Sequence, residues 1–98
     1  MEKSPFALTG FSNQQAQLLK VEVERYMSKW HSVGVLRLIL DLWKLPNTHN
    51  LIEGYLRRLA KRHRVKVNKV FPYAMKEFER FLRSLGYEVV NGVVNRKG

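Results

Sequence analysis

LGYEVVNGVVNRKG, residues 85–98, closes the chain, and its reading decides the fold. Leu85-Gly86 marks the end of a helix, because glycine accepts the left-handed backbone that follows a last helical turn. Asn91-Gly92 is a two-residue hairpin turn, since both central positions of a type I′ turn need positive φ. Pairing across that turn sets Val90 opposite Val93 and Val89 opposite Val94. Tyr87, Val89 and Val94 then share the face expected to meet a core, while Glu88, Val90, Val93 and Asn95 share the other. A lone hairpin is marginal in water, so the preceding helix must support it, and Val65-Lys66-Val67 is the candidate for a third strand.

Upstream the pattern is helical. Phe71, Ala74, Met75, Phe78, Phe81, Leu82 and Leu85 form the apolar stripe of a helix that begins with Pro72 at its first position and ends at Gly86. Before it, RVKVNKV at residues 64–70 loses the helical period and alternates, which predicts a short strand or an extended link. A helix over about 48–63 points Leu51, Ile52, Tyr55, Leu56, Leu59 and Ala60 inward, capped by Asn47 or Thr48. Val33 to Leu45 is apolar except for Arg37, Asp41 and Lys44, which fall on one exposed stripe of a helix that Pro46 ends. The first helix spans about 12–30, opened by a capping box of Ser12 and Gln15, with Ala16, Leu19, Val23, Tyr26, Met27 and Trp30 at helical intervals. Residues 1–11 have no period, yet Phe6, Leu8 and Phe11 suit an arm that lies on the domain. The expectation is one domain over 1–98, mainly α with a small C-terminal β-hairpin: four helices plus the hairpin.

With no cysteine, neither a disulfide framework nor a thiolate zinc site is available, and the core must hold the fold. The N-terminus lacks the apolar run of a signal peptide, and no segment reaches the roughly 18 apolar residues of a membrane helix. An intracellular, cytoplasmic protein without a membrane partner is expected. His31, His49 and His63 are far apart, no close carboxylate cluster completes a metal set, and the glycines are scattered rather than gathered in a phosphate-binding loop. Neither catalysis nor a cofactor is expected.

The charge is the strongest functional signal. Lys and Arg number 18 against 8 Asp and Glu, a formal charge of +10. Between Glu53 and Glu77 there is no acid, and Arg57, Arg58, Lys61, Arg62, Arg64, Lys66, Lys69 and Lys76 all fall in that gap. Charge spread for solubility alone would not concentrate so; a polyanion-binding face does. The alternative is that Arg57, Lys61 and Arg64 are only the solvated side of the third helix. On the fourth, Tyr73, Lys76, Arg80 and Arg83 line one exposed face, suited to the major groove, where cations reach guanine edges or hold phosphates. Glu77 and Glu79 could instead pair with Arg80 and Arg83 as surface salt bridges. His63 is expected to meet phosphate or solvent. Trp30, Trp43, Tyr55 and Phe78 fall on apolar stripes and read as core; Tyr73 is the aromatic expected to be exposed.

Two helices joined by an extended link, the second ending in Leu-Gly-Tyr and leading straight into a hairpin, follow the order of a winged helix-turn-helix domain. More narrowly, residues 50–94 resemble the winged-helix domain at the C-terminal end of plasmid, phage and poxvirus-type primase-helicases, with Phe78, Leu82 and Gly86 carrying the Phe-x3-Leu-x3-Gly rhythm and Leu56 and Leu59 in the preceding helix. The resemblance implies a winged-helix fold and a place in DNA replication or transcription. The reading that follows is a non-enzymatic protein that binds duplex DNA through helix 72–85 and the basic segment 57–69, with Arg96 and Lys97 touching phosphate. The rival is a small accessory subunit of a replication or transcription enzyme, which docks through the apolar Val90, Val93, Phe6 and Phe11 while its basic face guides nucleic acid. RNA is a third possible ligand, and Leu18 and Val21 leave apolar surface on the first helix for a homodimer, unless the second helix buries it.

Overall fold

The computed structural model describes residues 8–96, so Phe6 and Lys97 lie outside the described residues. The order of elements is α1 (Asn13–Met27), β1 (Ser32–Gly34), α2 (Val35–Lys44), α3 (His49–His63), a 3-10 turn (Val67–Lys69), α4 (Phe71–Ser84), β2 (Glu88–Val90) and β3 (Val93–Asn95). The chain is mainly helical with a small antiparallel sheet near its C-terminus.

α1 opens on the anticipated capping box: Gln15 N–H donates to Ser12 Oγ and Ser12 N–H to Gln15 Oε1, both at 3.1 Å. Its buried residues Ala16, Leu19, Val23 and Met27 keep one stripe. The helix stops at Met27 rather than near 30, so Trp30 leaves that stripe and is 43% exposed, against its expected place in the core. The reason is downstream. Val33 pairs with Val94, and the chain must straighten in time to bring Ser32–Gly34 alongside β3. The ladder continues at both ends, with Arg96 N–H donating to His31 O and Val35 N–H to Gly92 O.

The sheet order is therefore β1-β3-β2, and the third strand is Ser32–Gly34, not Val65-Lys66-Val67. Residues 64–70 instead make a turn in which Lys69 N–H donates to Lys66 O at 2.8 Å and Val70 N–H to Val67 O at 3.2 Å. Val65 and Val67 pack against the core from that turn, which accounts for their apolar alternation without a strand.

α2 begins at Val35, two residues later than the pattern suggests, and buries Val35, Leu38, Ile39 and Leu42. Leu45 then adopts extended backbone (φ −73°, ψ 137°), as a residue before proline must. Thr48 precedes α3, yet its side chain does not cap that helix: the hydroxyl donates backwards to Leu42 O at 2.6 Å, satisfying the end of α2. The C-terminus of α3 is a Schellman motif, with Val65 N–H bonded to Ala60 O and Arg64 N–H to Lys61 O. Arg64 holds the left-handed position, φ +56°, which glycine would take without strain. α4 ends in the same motif, this time with Gly86 at φ +98°, Tyr87 N–H reaching Leu82 O and Gly86 N–H reaching Arg83 O. The hairpin has the expected register, Val90 to Val93 and Val89 to Val94, across Asn91 (φ +53°) and Gly92 (φ +75°). Val89 and Val94 are buried beside Phe78, Phe81 and Leu82 in one core; Val90 is 50% exposed.

Candidate nucleic-acid interface

The segment 8–11 does lie on the domain, and it organises the basic surface. Leu8 is buried, and Phe11 packs edge-on against Tyr55 with ring centroids 5.5 Å apart. Phe11 thus packs against this core while staying partly exposed. Between them Gly10 sits at φ +77°, and a Cβ there would collide with the Arg58 side chain. Only glycine permits that approach.

Thr9 is the anchor. Its N–H (2.9 Å) and hydroxyl (2.5 Å) donate to the two oxygens of Glu77, and the Tyr55 hydroxyl donates to the same carboxylate at 2.9 Å. Glu77 therefore faces the arm rather than serving as a salt-bridge partner of Arg80 or Arg83. Tyr55 has no exposed surface, and burial, followed by the charge of Glu77, drives its phenol far above the ordinary tyrosine range. It stays a neutral donor.

The basic residues divide into two sets. Arg57 pairs with Glu53 at 2.9 Å, and the Trp43 indole donates to that same carboxylate at 2.8 Å, together holding Glu53 below the usual carboxylate range. Arg58 reaches Thr9 O at 3.4 Å while its guanidinium lies 5.7 Å over the Phe11 ring, and Arg62 donates to Thr9 Oγ1 at 2.9 Å. Arg83 donates to Val89 O at 3.0 Å, tying α4 to β2, and Arg96 donates to Met27 O and Ser28 O at the end of α1. These five serve the fold first. Lys61, Arg64, Lys66, Lys69, Lys76 and Arg80 are exposed and, among the described residues, make no side-chain hydrogen bond or salt bridge. Six cations free to meet a ligand thus run from the last turn of α3 through the link to Arg80 of α4.

Tyr73 is exposed as expected, at 37%, but not isolated: the His63 ring stacks on it with centroids 3.8 Å apart and planes within 8°. The sequence offered no period to connect the two, since one ends α3 and the other begins α4. They line a cleft of about 440 Å³ with Arg62, Lys76, Arg80 and the Thr9–Glu77 anchor. The hairpin tip carries Val90 half exposed, Val93 partly covered, and no cation between them.

Trp30 lies against Tyr26 and under Arg37, whose guanidinium is 5.8 Å from its ring. Tyr26 donates to Asp41, and burial together with that acceptor pushes its phenol up to about 12. Leu18 and Val21 remain 56% and 51% exposed, uncovered by α2. Among the described residues no group of His, Asp and Glu could hold a metal ion, and no helix is long and apolar enough to cross a membrane. No family model, curated protein or solved structure matches the chain.

Proposed function

We propose that the chain is a non-enzymatic, intracellular DNA-binding protein that grips duplex DNA through α4 and the basic segment 57–69. The observation that carries this reading is the run of six exposed, unpartnered cations from Lys61 to Arg80. Arg57 is paired with Glu53, whereas these six have no acidic partner and keep their charge for a polyanion. The order of α3, turn, α4 and hairpin supports a winged-helix arrangement, with α4 as the element that enters the groove and a role in replication or transcription. Its face offers Lys76 and Arg80 to phosphates or base edges, whereas Arg83 is held by the hairpin.

Neutralising about six phosphates gives a log K against log salt slope of about −5. Fluorescence anisotropy of a short duplex across a salt series measures it, with structured RNA as competitor at matched salt. A slope near zero, or preference for the RNA, overturns the duplex reading.

One observation favours a second reading, the accessory subunit: Val90 is half exposed on a hairpin tip without cations, a small apolar site for a protein partner. Light scattering of the pure chain and recovery of a stoichiometric enzyme from native lysate test it. The same light-scattering measurement addresses a homodimer through the open Leu18 and Val21 of α1.

A further inference from the structure

A cleft lies beside the cations of α4. Tyr73, Lys76 and Arg80 of α4 line it on one side, and Arg62 and His63 at the end of α3, with Thr9 bonded to Arg62, line it on the other. The result is a concavity of about 440 Å³, inside the range of about 300–1,000 Å³ typical of sites for small ligands.

Its lining combines two chemistries. Arg62, Lys76 and Arg80 against Glu77 leave two net positive charges at its walls, which suits a phosphate. Glu77 is fixed in place by Thr9 and Tyr55 and forms no salt bridge with Lys76 or Arg80. The aromatic component is the His63–Tyr73 stack. His63 covers one face of Tyr73, and the residue still keeps 37% of its surface exposed. An aromatic group within reach of two or three cations is the combination that recognises a nucleotide: the base packs on the ring and the phosphate meets the charge. A base inside a duplex has both faces covered by its neighbours and cannot do this.

We infer that this cleft takes one unpaired nucleotide, its base packed on the Tyr73–His63 pair and its phosphate held by Lys76 and Arg80. The inference rests on the DNA-binding reading and sharpens it: the preferred ligand is a duplex next to an unpaired nucleotide, at an end or a gap, unless the nucleotide arrives free.

The test uses the full chain and 2-aminopurine, whose emission is quenched by stacking. Three oligonucleotides are compared: a duplex with one overhanging 2-aminopurine, a blunt duplex with the same base paired inside, and the overhang carrying an abasic residue. The overhang is expected to bind more tightly than the blunt duplex and to lose fluorescence saturably. Removing the base, or making Tyr73→Leu, should erase that advantage, a factor of about 5 to 150 for one stacked base. The abasic arm needs no variant, so it stands even if Tyr73→Leu perturbs folding. Displacement of the quenched base by free dAMP assigns the cleft to a free nucleotide, and resistance to it assigns the cleft to a strand. If overhang, abasic and blunt duplexes bind alike with unchanged emission, the inference fails while DNA binding stands. If none binds, both fail.

Discussion

Replacing Glu77 with Ala should destabilise the protein far more than a surface glutamate would, and the structure says by how much. The carboxylate accepts three hydrogen bonds, two from Thr9 and one from Tyr55. Thr9 is only half buried, so its groups return to water at little cost. The Tyr55 hydroxyl cannot, because the residue has no exposed surface, and a buried donor left without a partner costs about 1–3 kcal/mol. Adding the charge-assisted part of the lost bonds brings the total to about 2–4 kcal/mol. At about 4–8 °C per kcal/mol for a domain of this size, a loss of 3 kcal/mol lowers Tm by about 12–24 °C. Tyr55→Phe removes the bond without leaving an orphan and should cost about 1 kcal/mol. In that background Glu77→Ala should be milder by about 1–2 kcal/mol, a coupling that a double-mutant cycle of urea or thermal unfolding measures by circular dichroism. Additive costs, equal within about 0.3 kcal/mol, would refute the shared network.

Arg64→Gly should stabilise the fold by about 1 kcal/mol, because glycine adopts the left-handed position at the end of α3 without strain, and should weaken DNA binding by removing a free cation; unchanged stability in urea contradicts the strain. Gly92→Ala should cost about 1–2 kcal/mol through its φ of +75° alone, since an added Cβ would meet nothing closer than Met75 Cε at 3.8 Å, whereas Asn91→Gly should be nearly neutral. Alkali should destabilise: the phenols of Tyr26, Tyr55 and Tyr87 are all raised in the fold, first by burial, so the unfolded chain gives up these protons first. Their contribution is intact below about pH 10 and is lost as pH climbs, for Tyr26 through about 12, so a urea midpoint that stays flat from pH 9 to 12 contradicts it.

Local pattern carried a large part of this molecule. The capping box of Ser12 and Gln15, the stripe of α4, the end of that helix at Gly86 and the register across Asn91-Gly92 were all legible, because each is written within a few residues and obeys a period of 3.6 or 2. The concentration of cations between Glu53 and Glu77 was legible for the same reason. What local pattern could not carry is any contact made across the chain. Ser32–Gly34 looks like the start of an apolar helix until β3 offers it a ladder, and Trp30 sits on a helical stripe until that pairing draws the chain away. Glu77 reads as a salt-bridge partner of its own helix until Thr9, 68 residues earlier, supplies better donors.

The division among the cations follows from this. Sequence alone determined that α3, the link and α4 would be basic, since charge is additive and needs no geometry. Only the tertiary structure decided which charges are free: Arg58 and Arg62 hold the arm and Arg83 the hairpin, leaving Lys61, Arg64, Lys66, Lys69, Lys76 and Arg80 exposed. A guanidinium bonds to whichever carbonyl or hydroxyl folding brings within about 3 Å, and for Arg58 and Arg62 that acceptor lies 49 and 53 residues away.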